Sequence, residues 1–323
     1  MSPSSDHDEE LLAIMAILAA LGVSELAAIR LAYGNLIERA IARLQSAWPD
    51  MPAALAAISD IRTDWLRVVG IGSESAANAS SEAIRLASDS LPSALAVGGF
   101  SFSTGLTERQ LRAKRREYDL RSEVVDGVLR RASATFASNL GNEVTKTLIS
   151  APKSAQIHEM VRSSMNPVRE MSEVAVVSEA VSAFNSTLIE GYRIQVSVPW
   201  WAWRARLDSK TCGMCWAMHG RWFPLETPFY SHPRCRCLAI PAMEQSLIDA
   251  GPMWFADLPD KEQLEILGRG RYDLYKSGRV TLADMVMERE HPLWGPIRDL
   301  RPVSQLQSLS LSRSRSSSSA TVS

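Results

Sequence analysis

The chain has 323 residues, 46% of them hydrophobic and 22% charged, which is long enough for two domains and ordinary for a globular protein. A formal net charge of −1 excludes a whole-molecule positive field, so any contact with nucleic acid must come from a local patch. Four cysteines with no visible export signal point to a reducing compartment, not to disulfides.

In chain order, the most apolar run is Leu11 to Val23. It is shorter than the roughly 20 residues of a membrane span and follows acidic residues, so neither an anchor nor a signal peptide is expected. Leu26, Ile29, Tyr33, Leu36, Ile37, Ala40, Ile41 and Leu44 recur at helical spacing, with Gly22 separating two helices and Trp48-Pro49 ending the run. A helix over 53–69 is expected to stop at Gly70 and Gly72, and another over 80–91 at Pro92. The segment GGFSFSTG over 98–105 reads as an exposed turn, and Thr107 as the N-cap of a long helix reaching Leu148. The basic residues of that helix, from Arg109 to Arg116, alternate with acids, which predicts a solvated face laced with ion pairs. Breaks are expected at Pro152 and Pro167.

Periodicity then changes. Tyr192 to Val198 and Trp201 to Leu207 alternate as strands do, helices return over 259–267 and 282–290 around a Gly268–Gly270 interruption, and the serine-rich tail from Ser304 reads as disordered. The expected fold is mainly α: a helical domain over 1–170, a small α+β zinc-knuckle-like domain over 171–300, and a disordered Ser-rich tail over 301–323.

All four cysteines lie within 26 residues. Cys212 and Cys215 form a Cys-x-x-Cys knuckle, and Cys235 and Cys237 close a second half-site beside His232, about twenty residues on, the separation at which two turns meet around one zinc ion. Thiolates brought together repel; Zn2+ neutralises them and contributes folding energy directly. Gly213 loosens the first turn and Pro233 restricts the second. The four cysteines are the first-choice ligands of a structural zinc. His219, four residues after Cys215, and His232, three before Cys235, are the alternatives, as ligands or as support. The tryptophans 200, 201, 203, 216 and 222 are expected to pack a small domain that has little other core.

These residues carry a resemblance. The ordered run Trp203, Asp208-Ser-Lys-Thr-Cys212, Cys215, His219-Gly220, Phe223-Pro224, His232-Pro233-x-Cys235-Arg236-Cys237 and Pro241 resembles the head-morphogenesis domain of tailed phages, the Mu F-like minor capsid proteins. Ser178 to Arg193 resembles the helix preceding that motif. The resemblance covers Ser172 to Pro241, with an echo between Leu264 and Asp284, and marks Asp208, Gly220 and Pro233 as supporting residues of the 208–237 motif. It implies a minor protein of the phage or prophage head, made in the host cytoplasm and carried in the virion. Its expected partners are the portal, scaffold or major capsid protein, and phage DNA during packaging or delivery. No established catalytic activity is implied. The alternative is a zinc-dependent nucleic-acid-binding or nucleic-acid-processing enzyme using Asp208 or His232, although the deaminase, metalloprotease, P-loop and Gly-x-Ser-x-Gly motifs are all missing.

Overall fold

The computed structural model describes residues 5–48, 50–148, 154–195, 197–243, 250–292 and 294–319. Helix accounts for 71% of the chain and strand for 9%, so the mainly α class holds. The long helices are α1 (Ser5–Ala20), α2 (Val23–Ala47), α3 (Met51–Val97), α4 (Glu108–Leu148) and α5 (Ser154–Arg193). After them come β1 (Trp200–Arg204), α6 (Gly213–Met218), β2 (Trp222–Pro224), β3 (Leu238–Ala242), α7 (Ala250–Ala256), α8 (Asp260–Leu267), α9 (Arg269–Lys276), β4 (Val286–His291), β5 (Gly295–Leu300) and α10 (Val303–Ser319). Two compact units emerge, neither contiguous in sequence. One draws on Met1–Ala19, Ala87–Leu106 and Asn185–Ser323; the other on Ala20–Leu86 and Thr107–Phe184. The boundary expected near residue 170 falls inside α5.

The helical unit buries the stripe that its periodicity marks: Ile29, Tyr33, Leu36, Ile37, Ala40, Ile41 and Leu44 of α2 are all inside. Gly22, at φ 76°, separates α1 from α2 as expected. Thr107 caps α4 reciprocally with Gln110, its hydroxyl accepting from the Gln110 amide (3.3 Å) while its own amide donates to the Gln110 side chain (2.9 Å). The stretch Glu9–Ala47 is long and apolar enough by composition to cross a membrane, a test that core helices of soluble proteins also pass. It is longer than the Leu11–Val23 run on which the expectation of no anchor rested.

The expected helix stops at Gly70, Gly72, Pro92 and Pro167 are not stops. Helix α3 passes through both glycines and Pro92, and α5 passes through Pro167. At Gly72 the reason is close approach: an added Cβ would stand 3.0 Å from the Ser172 hydroxyl and 3.1 Å from its Cβ, so glycine lets α5 in. Proline inside a helix costs about 3 kcal/mol. Burial on both flanks offsets it: Leu91, Ala94 and Leu95 around Pro92, Met165 and Val168 around Pro167. The break expected at Pro152 and the stop at Pro49 lie outside the described residues.

In the other unit, β2, β1 and β3 form an antiparallel sheet in that order, with Trp201 opposite Phe223 and Trp203 opposite Ala239. Strands β4 and β5 pair as a separate hairpin. Trp216 and Ala217 of α6 share a core with Phe255, Leu267, Leu274, Val280, Leu282, Met285 and Leu306. Three expectations change here. Tyr192 and Arg193 end α5 and do not begin a strand, because the Tyr192 ring is buried with its hydroxyl on the Ala239 carbonyl (3.0 Å). The helix expected over 282–290 is a 3-10 turn at Ala283–Met285 followed by β4, which pairs along its whole length with β5. The tail expected to lack order from Ser304 is helical over Val303–Ser319, with Leu306 fully buried.

Charged residues on α4 pair locally, as Lys114 with Glu117 and Arg130 with Asp126. One pair is different in kind. Arg121 holds Glu179 of α5 through two hydrogen bonds of 2.8 and 2.9 Å, and the Glu179 side chain is 1% exposed. Removing the guanidinium strands a buried carboxylate, so Arg121→Ala should cost about 3 kcal/mol of unfolding free energy, read as a shifted urea midpoint, whereas Arg130→Ala should cost under about 1 kcal/mol.

Candidate metal centre

The first half of the site is a turn that the sequence closes on itself. After β1 the chain passes through Leu207 at φ 58°, and the Asp208 carboxylate then accepts from the Lys210 amide (3.0 Å) and the Thr211 hydroxyl (3.1 Å). The Thr211 amide donates to the Asp208 carbonyl (2.9 Å). This Asx-type turn delivers Cys212 to the cap of α6, with Cys215 three residues into the helix. The second half is the turn from His232 to Cys237, closed by the Cys235 amide on the His232 carbonyl (3.2 Å), that runs into β3.

Arg236 joins the two halves. Its guanidinium grips Asp208 bidentately at 2.7 and 2.6 Å, and Arg206 adds a contact at 3.3 Å. The Arg236 hydrogen bond is the main reason that the Asp208 carboxyl sits well below the ordinary carboxylate range; partial burial opposes the shift.

Five donor atoms converge where the halves meet. The His232 Nε2 lies 3.3 Å from the Cys212 sulfur and 3.2 Å from the Cys215 sulfur, and Cys215 lies 3.9 Å from Cys235. Two groups that share Cys215 result: Cys212, Cys215 and His232, and Cys215, Cys235 and Cys237, each with its ligand atoms within 4.8 Å of one another. All four cysteines are free thiols. A tetrahedral ion with 2.3 Å bonds to sulfur has sulfur–sulfur edges of about 3.8 Å, and slightly shorter edges to nitrogen. The spacing therefore suits coordination. The His232 Nδ1–H donates to the Pro233 carbonyl (2.8 Å), which fixes the tautomer and directs the Nε2 lone pair at the sulfurs.

Protons alone balance this cluster poorly. The Cys212 thiol is lowered to about 5, first by hydrogen bonding from Cys215 and, against burial, by His232. Burial opposes ionisation of Cys235, yet hydrogen bonds from Cys215 and Cys237 and the His232 charge hold its pKa well below the ordinary thiol value. Cys215 moves up because it donates to Cys212, Cys235 and Cys237, and Cys237 moves up chiefly through burial. Burial disfavours the His232 cation, but the neighbouring Cys235 and Cys212 sulfurs overcome it and raise the ring to about 12. A shared divalent cation replaces that proton and lets every ligating sulfur ionise.

The other sequence-marked residues frame the site. Helix α6 ends at Met218, so His219 is a C-cap in extended geometry and not a helical neighbour of Cys215. Its Nδ1 accepts from the Ala205 amide (3.1 Å) and it is fully buried, outside both donor groups. Gly220, at φ 86°, turns the chain so that its amide reaches the Trp203 carbonyl (2.9 Å). Pro241 lies in β3 opposite Trp201. Trp201 and Trp203 are buried against Phe223 and Phe229 at ring distances of 4.5 and 4.4 Å, while Trp200 and Trp222 form a half-buried edge-on pair at 4.6 Å. Sequence reading missed Asn185. Fully buried in α5, it donates to the Cys237 carbonyl (3.2 Å) and accepts from the Ala239 amide (2.7 Å). A lone amide between Phe184 and the apolar Leu188-Ile189 pair is the signal that marked it.

No protein-family model matches the sequence, and comparison with curated proteins and with solved structures returned no match.

Burial, with help from Arg204, holds His219 down at about 4 against an ordinary 6.5. The unfolded chain takes up this proton first as pH falls, so the stability present above pH 6.5 is lost on the way to pH 4, up to about 3 kcal/mol. Urea unfolding at pH 7 and pH 4.5 should therefore show wild type losing more stability than His219→Gln, with the metal-linked loss common to both.

Proposed function

We propose that the cluster holds one structural zinc ion on Cys212, Cys215, His232 and Cys235, with Cys237 packed behind it. The observation that carries this reading is the convergence of a fixed-tautomer imidazole with the sulfurs at the edge lengths of a tetrahedron. The two groups of three donors share Cys215, so one ion serves both turns. Cys237 is the donor left over: its carbonyl is held by Asn185, and its sulfur lies toward the Trp203 indole N–H, which has no other acceptor among the described residues. The ion supplies charge balance and folding energy to a domain whose sheet has strands of only three to five residues.

With the motif resemblance, this makes the chain a minor head protein of a tailed phage or prophage, whose zinc-stapled domain docks to portal, scaffold or capsid protein during assembly, packaging or delivery. Support comes from the division of labour within the motif: Asp208 and Arg236 tie the two turns, His219 and Gly220 brace β1, and Pro241 sits in the sheet. A catalytic reading would use Asp208 or His232, and the proposed ion takes the free ring nitrogen of His232. The Asp208 carboxylate is already filled by Arg236, Thr211 and the Lys210 amide.

Reduced, purified protein should contain about one equivalent of zinc. Cys212→Ser and His232→Ala should lose it and expose Trp203 and Trp216, seen as a red shift in emission, whereas Cys237→Ser should retain it. Under about half an equivalent in wild-type protein with buried tryptophans would sink the zinc assignment. The phage assignment is tested separately by co-expression with neighbouring portal, capsid and scaffold genes. Procapsids should contain the chain; procapsids that never do, and that package and deliver DNA normally without it, would overturn that assignment.

A further inference from the structure

We infer that the opening beside the cysteine cluster is a binding site for the phosphodiester backbone of nucleic acid. Arg206, Lys210, Arg234 and Arg236 line it over Cys212 and His232, and no carboxylate is among its lining residues. Asp208 accepts from Arg236, Thr211 and the Lys210 amide and also meets Arg206, so it offsets one of the four charges and leaves three. Four cations on one rim stand out against a chain whose net charge is −1. They come from the two turns that the metal centre joins, two from each, so the inference rests on the zinc reading for its geometry.

Two of the four are held in place while their charge stays at the surface. Arg236 is fixed by its bidentate bond, and Arg206 meets Asp208 through Nε at 3.3 Å while remaining 43% exposed. Lys210 is tied through its backbone amide and is an exposed residue of the lining. The cavity itself is only about 20 Å³, so a phosphate group would lie across its mouth against the rim cations and not among the Cys212, Cys215 and His232 donor atoms. Donors converging from separate side chains suit a tetrahedral oxyanion, and a polynucleotide would continue along the rim without entering.

The test uses the full, zinc-loaded chain and fluorescence anisotropy with a labelled oligonucleotide of about 20 nucleotides, single-stranded and duplex, between about 50 and 200 mM salt. Wild type should bind, and bind more weakly as salt rises. The double variant Lys210→Gln with Arg234→Asn should bind about tenfold or more weakly, with a salt slope smaller by about two and an unchanged zinc content. Asparagine is chosen because Arg234 sits at φ 60°, a conformation that asparagine tolerates. No binding at low salt, or equal binding by the double variant, overturns the inference. So does displacement by polyglutamate as effective as by unlabelled oligonucleotide, which would assign the cleft to acidic peptides, or full displacement by millimolar inorganic phosphate, which would assign it to a free anion. The two readings fail separately: zinc-bound protein that ignores the oligonucleotide sinks this one, and zinc-free protein whose binding still depends on Lys210 and Arg234 sinks the other.

Discussion

Charge balance among buried sulfurs is the constraint around which the sheet-bearing unit is built. Cys215, Cys235 and Cys237 are almost wholly shielded from water, and three sulfurs and an imidazole cannot be brought this close without something to offset their lone pairs and charges. Much else nearby serves that meeting. The Asp208 turn sets Cys212 at the head of α6, the Asp208–Arg236 pair fixes the distance between the two turns, and α5 holds the exit from the second turn through Asn185. The aromatic stack of Trp201, Trp203, Phe223 and Phe229 is small for a core, which is why a cross-link between loops matters to its stability.

The sequence made the helices legible and their ends much less so. The stripe on α2 is a repeated signal, and burial followed it from Ile29 to Leu44, with Leu26 at its start half-buried. Stops are single-residue signals, and at Gly72, Pro92 and Pro167 packing on both sides outweighed them. Alternation misled at Tyr192, and the helix expected over 282–290 gave way to a strand at Val286. Tyr192 lies on a helix because its ring and hydroxyl find places there, and Val286 begins a strand because a partner strand lies alongside. Neither partner is visible within a short window of sequence.

At the site, cysteine spacing was enough to bring the two turns together, but it did not distinguish the histidines. His219 and His232 stand at comparable offsets from a cysteine, and only the early end of α6 and the Ala205 amide turn one of them into a brace. The partner of Asp208 was equally hidden, since Arg236 lies 28 residues away and the fold alone makes them neighbours.

The Asn185 contact has a consequence for the sheet itself. Strand β3 is at its margin, and a margin strand ordinarily offers unpaired amides and carbonyls to any passing chain. Here the Asn185 carboxamide occupies the Cys237 carbonyl and the Ala239 amide, and the Tyr192 hydroxyl occupies the Ala239 carbonyl. Two side chains from one helix thus stand in for a fourth strand, and the opposite margin, β2, is three residues long and ends in a proline. The sheet is closed to growth at both sides without becoming a barrel, a useful property in any protein that must stay monomeric at high local concentration before it reaches its place.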